Sequence, residues 1–496
     1  MSSEPSLNDK KIDVLHLERR STESPLHSQE ELELLDSIEQ TETGLYSWLV
    51  TLTAALGGLL FGYDTGIIAG VLVYIGSDLG HTLSSSEKEL ITSITSGGAF
   101  FGAMFAGITA DRYGRSAAAI VPLYIAEVSP SKYRGRMIGL DNMSITGGQL
   151  LSYGIGAAFA YVTGGWRYMV GGGAIPAILL AILLTFCPES PRQLIYHNKP
   201  EEATKVIRKI YPNGTDQQVA DKVKHITHHV YLAKAVNEGK SRWWIIKQLY
   251  VVPANLRALM AACGLMAISQ LAGFNSLVYY SPLVFSLVGF ENPVAVGTII
   301  AGVNFVFTFV NLILVDRVGR RRILLCTVQF MGFSLVIAAV AFIYIPITHD
   351  LTLEPNVMVG WPAKLVLAAV VFYVAFYSSG IGNTAWLSSE LFPMEVRSMG
   401  TMMMTMVCWA SNIIVASTFL TQFENTTPSG TYGFYAAICL LGWVAVYFCY
   451  PEVAGMTLED IGEIFNHGFG VKEARVIQKR MKAEKKAIAN NAATTA

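Results

Sequence analysis

Long stretches without a charged side chain recur along most of this sequence. Between Glu42 and Asp78 the only charge is Asp64, and residues 137–166 contain only Asp141. The fully uncharged stretches are 90–110, 168–188, 258–290, 292–315, 323–348, 365–389, 398–423 and 425–451. Each can cross a hydrocarbon core of about 30 Å, which takes about 20 helical residues, whereas an open strand leaves unpaired backbone groups in lipid. The pattern predicts an all-α polytopic membrane protein, because a soluble core would need the polar helix faces that these stretches lack.

The composition agrees with this class of protein. Of the 496 residues, 52% are hydrophobic and 15% charged, where a soluble protein has about a quarter charged. The net charge of -1 gives no sign of a nucleic-acid partner. The six cysteines lie in or beside the apolar stretches without metal-ligand spacing, and no phosphate loop or nucleophile elbow is present. The sequence therefore predicts neither a cofactor or metal site nor an enzyme.

Polar segments divide the chain into five parts. Residues 1–44 are predicted to be a disordered cytoplasmic tail, and 466–496 a second cytoplasmic tail. Residues 45–192 and 253–465 are predicted to be two helix bundles, joined by a charged helical linker at 193–252. Lysine and arginine gather on one side of the membrane, and cytoplasmic loops carry that excess, so both termini are predicted to be cytoplasmic.

The two bundles share repeated motifs, which is typical of transporters built from two similar halves. The repeated pairs are DRYGR at 111–115 with DRVGR at 316–320, YIAEVSP at 124–130 with LSSELFP at 387–393, and PE at 188–189 with PE at 451–452.

These motifs, with GGLLFGYDTG at 57–66 and PESPR at 188–192, resemble the sugar porter family of the major facilitator superfamily. GIGNTAW at 380–386 followed by SELFPMEVR at 389–397 looks like the fungal myo-inositol transporters. The resemblance implies a two-bundle major facilitator fold in the plasma membrane. It also implies alternating access for myo-inositol or a related polyol or hexose, with proton symport in intact members.

The first half is shorter than the repeat requires. Glu127 to Glu390 spans 263 residues, but Asp111 to Asp316 spans only 205. The third helix and most of the fourth, roughly 45 residues, are therefore missing near 115–116, since each span takes about 20 residues. An abrupt join favours a skipped exon or a mis-joined gene model over gradual loss.

About ten full transmembrane helices and a short stub are then expected. The apolar stretch at 117–126 has about ten residues and cannot cross the membrane. It would be a re-entrant stub, an interfacial turn or the inner end of the fourth helix.

Asp64 is the acid placed deepest in an apolar stretch, and such a group is a functional candidate because its burial is costly. The resemblance implies that it exchanges a proton opposite an arginine of the fourth helix, which falls in the missing segment. The alternative is that Asp64 only hydrogen-bonds neighbouring helices.

Neutral amides and aromatic rings in the apolar stretches could bind a polyol. The candidates, which match sugar-site positions of the family, are Gln149, Gln270, Asn275, Tyr279, Tyr280, Asn304, Asn383, Trp386, Trp409 and Asn412. Each amide taken alone could instead join helices. Ser269 stands where the family usually has a second glutamine, and Asn383 where most hexose carriers have proline.

Ten loop charges resemble the cytoplasmic gate of the family. They are Arg112, Arg115, Glu127, Arg134, Glu189, Arg192, Arg317, Arg320, Glu390 and Arg397. Any one could be a solvated loop charge, but the duplicated spacing argues against that for the set. The sequence thus predicts a membrane carrier, with a non-transporting sugar sensor and an inactive truncated product as alternatives.

Overall fold

The computed structural model describes most of the chain outside the two tails. It covers residues 38, 44–113, 131–187, 189–237, 242–290, 292–345, 347, 360–393, 396–453, 456, 461 and 464–480. The predicted stub at 117–126 and two predicted gate residues, Arg115 and Glu127, lie outside the described residues. For Arg112 and Arg134 only the helical backbone is described.

The first half contains three long helices and one span made of two short helices. They are α1 (Leu45–Tyr74), α2 (Ser85–Tyr113), α3 (Ser131–Ala158), α4 (Gly165–Gly172) and α5 (Ala174–Leu184). Four further helices follow before the second half: α6 (Pro191–Tyr196), α7 (Pro200–Ile210), α8 (Asp216–Asn237) and α9 (Arg242–Val251). In α7, Ala203, Val206, Ile207 and Ile210 are buried at the spacing of one amphipathic face, and this face packs on α6 and α8.

The second half has the complete series of spans. Its helices are α10 (Pro253–Leu271), α11 (Phe274–Leu287), α12 (Pro293–Val318), α13 (Arg320–Ile343), α14 (Trp361–Ser379), α15 (Ile381–Leu387), α16 (Arg397–Ala416), α17 (Phe419–Thr426) and α18 (Pro428–Cys449). A 3₁₀ turn at Ser388–Leu391 extends α15. We call the end of the bundle at 317–322 the arginine-rich end, and the opposite end, with Asp78, Glu89 and Glu424, the acidic end.

The charge-free stretches form membrane-length helices. Within the described residues, eight spans are long and apolar enough to cross a membrane. The helices α2 and α3, with 29 and 28 residues, are more polar but equally long, and they bring the number to the ten expected if they also cross. The prediction of an all-α polytopic fold is confirmed.

Glycines at every fourth position of α1 let it approach α3 closely. A Cβ added at Gly62 would collide with the backbone oxygen of Ile145, and one at Gly66 with the hydroxyl of Ser152. Such small residues are the usual means of close helix packing in membranes. The GGLLFGYDTG motif therefore has a packing role that is separate from Asp64.

The two halves meet along four helix pairs: α1 packs on α11, α2 packs on both α16 and α17, and α3 packs on α12. The main buried core lies in the second half. Added Cβ atoms at Gly97, Gly98 and Gly102 of α2 would meet no atom within 4 Å. One face of α2 is therefore uncovered within the described residues, as a first half lacking two helices would leave it.

Candidate functional site

A helix break places polar groups in the interior of the second half. The chain turns between α10 and α11 at Gly273, whose φ of 89° suits glycine. Gln270 and Asn275 flank this break, and the Asn275 amide donates to Gln270 Oε1 at 2.6 Å. Ser269 is buried, and its hydroxyl lies 3.3 Å from that of Tyr377.

A chain of neutral hydrogen bonds joins the two halves. The amide of Asn304 on α12 donates to Gln149 Oε1 on α3 at 2.7 Å. The hydroxyl of Ser378 donates to Asn304 Oδ1 at 2.6 Å, and the amide of Asn383 donates to the Ser378 backbone oxygen at 2.7 Å. Three sequence-predicted residues are thus brought together by Ser378, which the sequence did not single out.

The adjacent tyrosines on α11 have different surroundings. Tyr280 is fully buried, and its hydroxyl donates to the backbone oxygen of Ala416 at 2.8 Å. The hydroxyl of Tyr279 interacts with Ser96 of α2 and Asn412 of α16. Asn412 Oδ1 is buried and has no hydrogen-bond partner within the described residues. Tyr279 and Asn412 therefore lie where the halves meet, whereas the hydroxyl of Tyr280 is already bonded.

The two tryptophans present aromatic faces. Trp409 of α16 packs edge-to-face on Phe61 of α1, with the ring centroids 5.6 Å apart. Trp386 of α15 is 41% exposed. The sequence analysis missed Phe61, although it lies three residues before Asp64 in the glycine motif.

Asp64 lies beside the joint between α4 and α5. A Cβ added at Gly173 would be 3.1 Å from Asp64 Oδ1. The side chain is exposed, and no described residue hydrogen-bonds or ion-pairs with it. The carboxylate therefore has no cationic partner in the described part of the chain.

At the acidic end, a loop of the first half is fastened to α4. The indole N–H of Trp166 and the guanidinium of Arg167 each donate to Asp78 Oδ2 at 2.8 Å. These contacts hold the pKa of the Asp78 carboxyl below its ordinary value. They therefore contribute most when Asp78 is ionised.

The same end also joins the two halves. Glu89 of α2 accepts hydrogen bonds from the backbone N–H and the hydroxyl of Thr421 on α17. Ser85 donates to the carboxylate of Glu424, and the hydroxyls of Thr92 and Tyr280 contact each other. The sequence analysis used Glu89 only as the boundary of a charge-free stretch.

At the arginine-rich end, two of the predicted gate residues, Arg320 and Glu390, form an ion pair. Arg320 Nη1 lies 3.1 Å from Glu390 Oε2, and the backbone N–H of Arg320 donates to Glu452. The guanidinium of Arg397 donates to the backbone oxygen of Phe392.

The remaining described gate residues lie near this network. Arg192 is exposed but close enough to Arg397 to repel it. Arg317 is exposed, and Glu189 is half-buried and accepts from the N–H of Ser190. The gating role of the set stays a prediction. Within the described residues, no three histidine, cysteine or acidic side chains are grouped to bind a metal.

The fold and this interior polar site define a multi-pass membrane carrier of the major facilitator type. The model of the family described as "Sugar (and other) transporter" matches residues 50–121 and 116–465. The chain belongs to this family. The two matched pieces overlap at 116–121, where the repeat predicts the missing segment.

Named relatives cover nearly the whole chain. "Myo-inositol transporter 1" of Cryptococcus neoformans var. grubii is 39% identical over 479 residues, covering 88% of this chain and 84% of the relative. "Myo-inositol transporter 2" of Schizosaccharomyces pombe is 39% identical over 481 residues, covering 88% and 86%. In the alignment with the Cryptococcus relative, 88% of the 496 residues is about 436 residues. About 43 of the 479 aligned positions are therefore gaps in this chain.

Among solved structures, the chain is similar to the proton:xylose symporter XylE bound to 6-bromo-6-deoxy-D-glucose. The TM-score is 0.67 at 23% identity, covering 85% of this chain and 99% of that one. The likeness shows the major facilitator fold.

Proposed function

We propose that this chain binds myo-inositol, or a related polyol or hexose, between its two halves and carries it by alternating access. The observation that carries the proposal is the hydrogen-bond chain from Gln149 through Asn304 and Ser378 to Asn383. Neutral amides and hydroxyls both donate and accept, as the hydroxyls of a polyol require. The relatives named as myo-inositol transporters favour this substrate.

Other predicted site residues fit the same role. Asn412 Oδ1 is a buried acceptor with no partner within the described residues, and a ligand hydroxyl would supply one. Trp386 and Trp409 offer apolar faces for the C–H groups of a sugar ring. Gln270, Asn275 and Tyr279 complete the proposed set of ligands, whereas Tyr280 supports the site by holding α16.

We place the protein in the plasma membrane with both termini in the cytoplasm, so that the arginine-rich end faces the cytoplasm. The two bundles at 45–192 and 253–465 would then move against each other about the site. The proposed role of Arg320, Glu390 and Arg397 in the state that is closed toward the cytoplasm rests on the resemblance, because their described hydrogen bonds and ion pair lie within the second half.

Proton coupling is proposed to be impaired in this chain, although the sugar site is retained. Asp64 is present, but no described cation lies beside it, and the segment that supplies an arginine in the family is missing. Most proposed sugar ligands lie in the complete second half. An inactive truncated product or a sugar sensor is the alternative, favoured by the same lack of a partner for Asp64.

Binding to the purified protein tests the sugar site. Labelled myo-inositol should bind saturably, and Asn304→Ala should weaken binding about tenfold or more, since the loss of one hydrogen bond to a neutral group costs about 1 kcal/mol and the network would be broken as well. The matched control is Asn311→Ala on the same helix, whose amide donates to the Ser379 backbone oxygen at 2.6 Å. Equal loss in both variants, or no saturable binding, would contradict the proposal.

A further inference from the structure

Asp141 is a buried acid that the proposed sugar site does not use. It is the eleventh residue of α3, counted from the arginine-rich end, and only 4% of its surface is exposed. Gly58 of α1 lies against it, because an added Cβ there would be 2.7 Å from Asp141 Oδ1. The carboxyl is therefore enclosed in the seam between α1 and α3.

Within the described residues, the carboxyl has no partner that would stabilise a negative charge. Its Oδ1 is buried without a hydrogen bond, and no described residue forms an ion pair with it. An ionised carboxylate in a dry interior requires a cation or several donors. The geometry thus favours the neutral acid.

The charged groups on the neighbouring helices lie elsewhere. The one acid on α1 is Asp64, which lies six residues beyond Gly58, the residue of α1 that packs against Asp141. On α4, Arg167 is bonded to Asp78 at the acidic end. On α12, Leu312 packs near Gly139, and the exposed Arg317 follows at the helix end.

The remaining titratable groups on these helices are basic or phenolic, apart from the acid Asp316. Those of α3 itself are Lys132, Tyr133, Arg134, Arg136 and Tyr153; the side chains of the first four are outside the description, and Tyr153 bonds to α11. Those of α1 and α4 are Tyr46, Tyr63, Tyr74 and Tyr168, and Asp316 lies in the last turn of α12. None of the described side chains among them hydrogen-bonds to Asp141.

We propose that Asp141 is a proton-binding site in the seam between α1 and α3, and that it holds its proton in the state described. The carboxylate takes one proton from water to become the carboxylic acid, and it returns that proton to water when the arginine-rich end opens. The release and uptake of the proton rest on the proposed transport cycle. That Asp141 is protonated in the state described does not depend on transport. The site is distinct from Asp64, which is exposed and lies beside α4 and α5.

Infrared spectroscopy of the purified protein in lipid nanodiscs tests this directly, through the C=O stretch of a protonated carboxyl. At neutral pH the wild type should show this band, and Asp141→Asn should lose it. Asp78→Asn is the matched control, because that carboxylate is bonded to a guanidinium and should contribute no such band.

Either of two results overturns the proposal. One is an Asp141→Asn spectrum in which the band keeps its full intensity. The other is a wild-type spectrum without any protonated carboxyl at neutral pH, which requires no variant to fold. The spectrum does not depend on sugar binding, so its failure leaves the sugar site untouched, and absent binding or uptake leaves the protonation untouched.

Discussion

Glu89 of α2 holds the first turn of α17 through Thr421. Its Oε1 accepts from the backbone N–H of Thr421 at 2.8 Å, and its Oε2 from the hydroxyl at 2.7 Å. The N–H groups of a first helical turn lack partners within their own helix, and a carboxylate is favoured there. Since α2 belongs to the first half and α17 to the second, one buried carboxylate joins the halves at the acidic end.

Glu89→Gln should loosen this closure. Hydrogen bonds to a charged group contribute about 1.5–3 kcal/mol each, so loss of the charge should lower the ratio of closed to open molecules about tenfold. Spin labels on Thr82→Cys and Asn425→Cys, in a protein without its native cysteines, would report longer distances. Glu87→Gln is the control, because Glu87 bonds only to Ser84 and His81 of its own half. Unchanged distances in Glu89→Gln would rule out a closing role.

Gly62→Ala should damage the first half. The added methyl group would collide with the backbone oxygen of Ile145, and overpacking of this kind costs about 1–3 kcal/mol. Thermal unfolding in one detergent should show a lower midpoint and a smaller monodisperse fraction. Gly98→Ala should match or exceed the wild type, because no atom lies within 4 Å of an added Cβ there. Equal behaviour of the two variants would disprove the packing role.

Asn412→Leu should separate stability from binding. The substitution removes a buried acceptor that has no partner within the described residues, and its one loss is the contact with the Tyr279 hydroxyl, which keeps Ser96, so the unfolding midpoint should fall little. Affinity for myo-inositol should fall about tenfold, which corresponds to about 1.4 kcal/mol. Asn311→Leu should instead lose stability, because its amide is already bonded to the Ser379 backbone oxygen. Wild-type affinity in Asn412→Leu would remove Asn412 from the site.

Acid should weaken the attachment of Asp78 to α4. Its pKa is lowered in the folded state by Trp166 and Arg167, so its stabilising effect is complete above the ordinary carboxyl pKa of about 3.9. That effect declines as the pH falls below this value toward the folded pKa. The difference in unfolding midpoint between the wild type and Asp78→Asn should therefore shrink with acidification. A difference that grows would show the opposite sign of coupling.

The sequence predicted the helices well because a charge-free stretch of about 20 residues has one stable form in lipid. It also placed Gln149, Asn304 and Asn383 among the site residues, and in the structure Asn304 bonds to Gln149 directly and is joined to Asn383 through Ser378. It did not predict Ser378 as their link, since a serine in an apolar helix has no distinguishing pattern. Contacts between distant segments, such as Glu89 with Thr421, depend on how the halves dock and leave no local signal.

The surroundings of Asp64 also could not be predicted from the local sequence pattern. Its position in an apolar stretch predicted burial, but its surface is exposed in the structure. Exposure depends on which helices cover α1, and the repeat predicts that two of those expected in the first half are missing. The pattern around Asp64 therefore could not predict its surroundings.

Uptake of labelled myo-inositol by cells that lack their own inositol carriers tests the central claim most directly. The chain would be compared with a variant in which the missing segment of the first half is restored. The restored variant should accumulate myo-inositol in a pH-dependent way that Asp64→Asn abolishes, whereas the chain as it stands should bind the sugar but accumulate little. Strong, pH-dependent accumulation by the unrestored chain would contradict the claim that proton coupling is impaired.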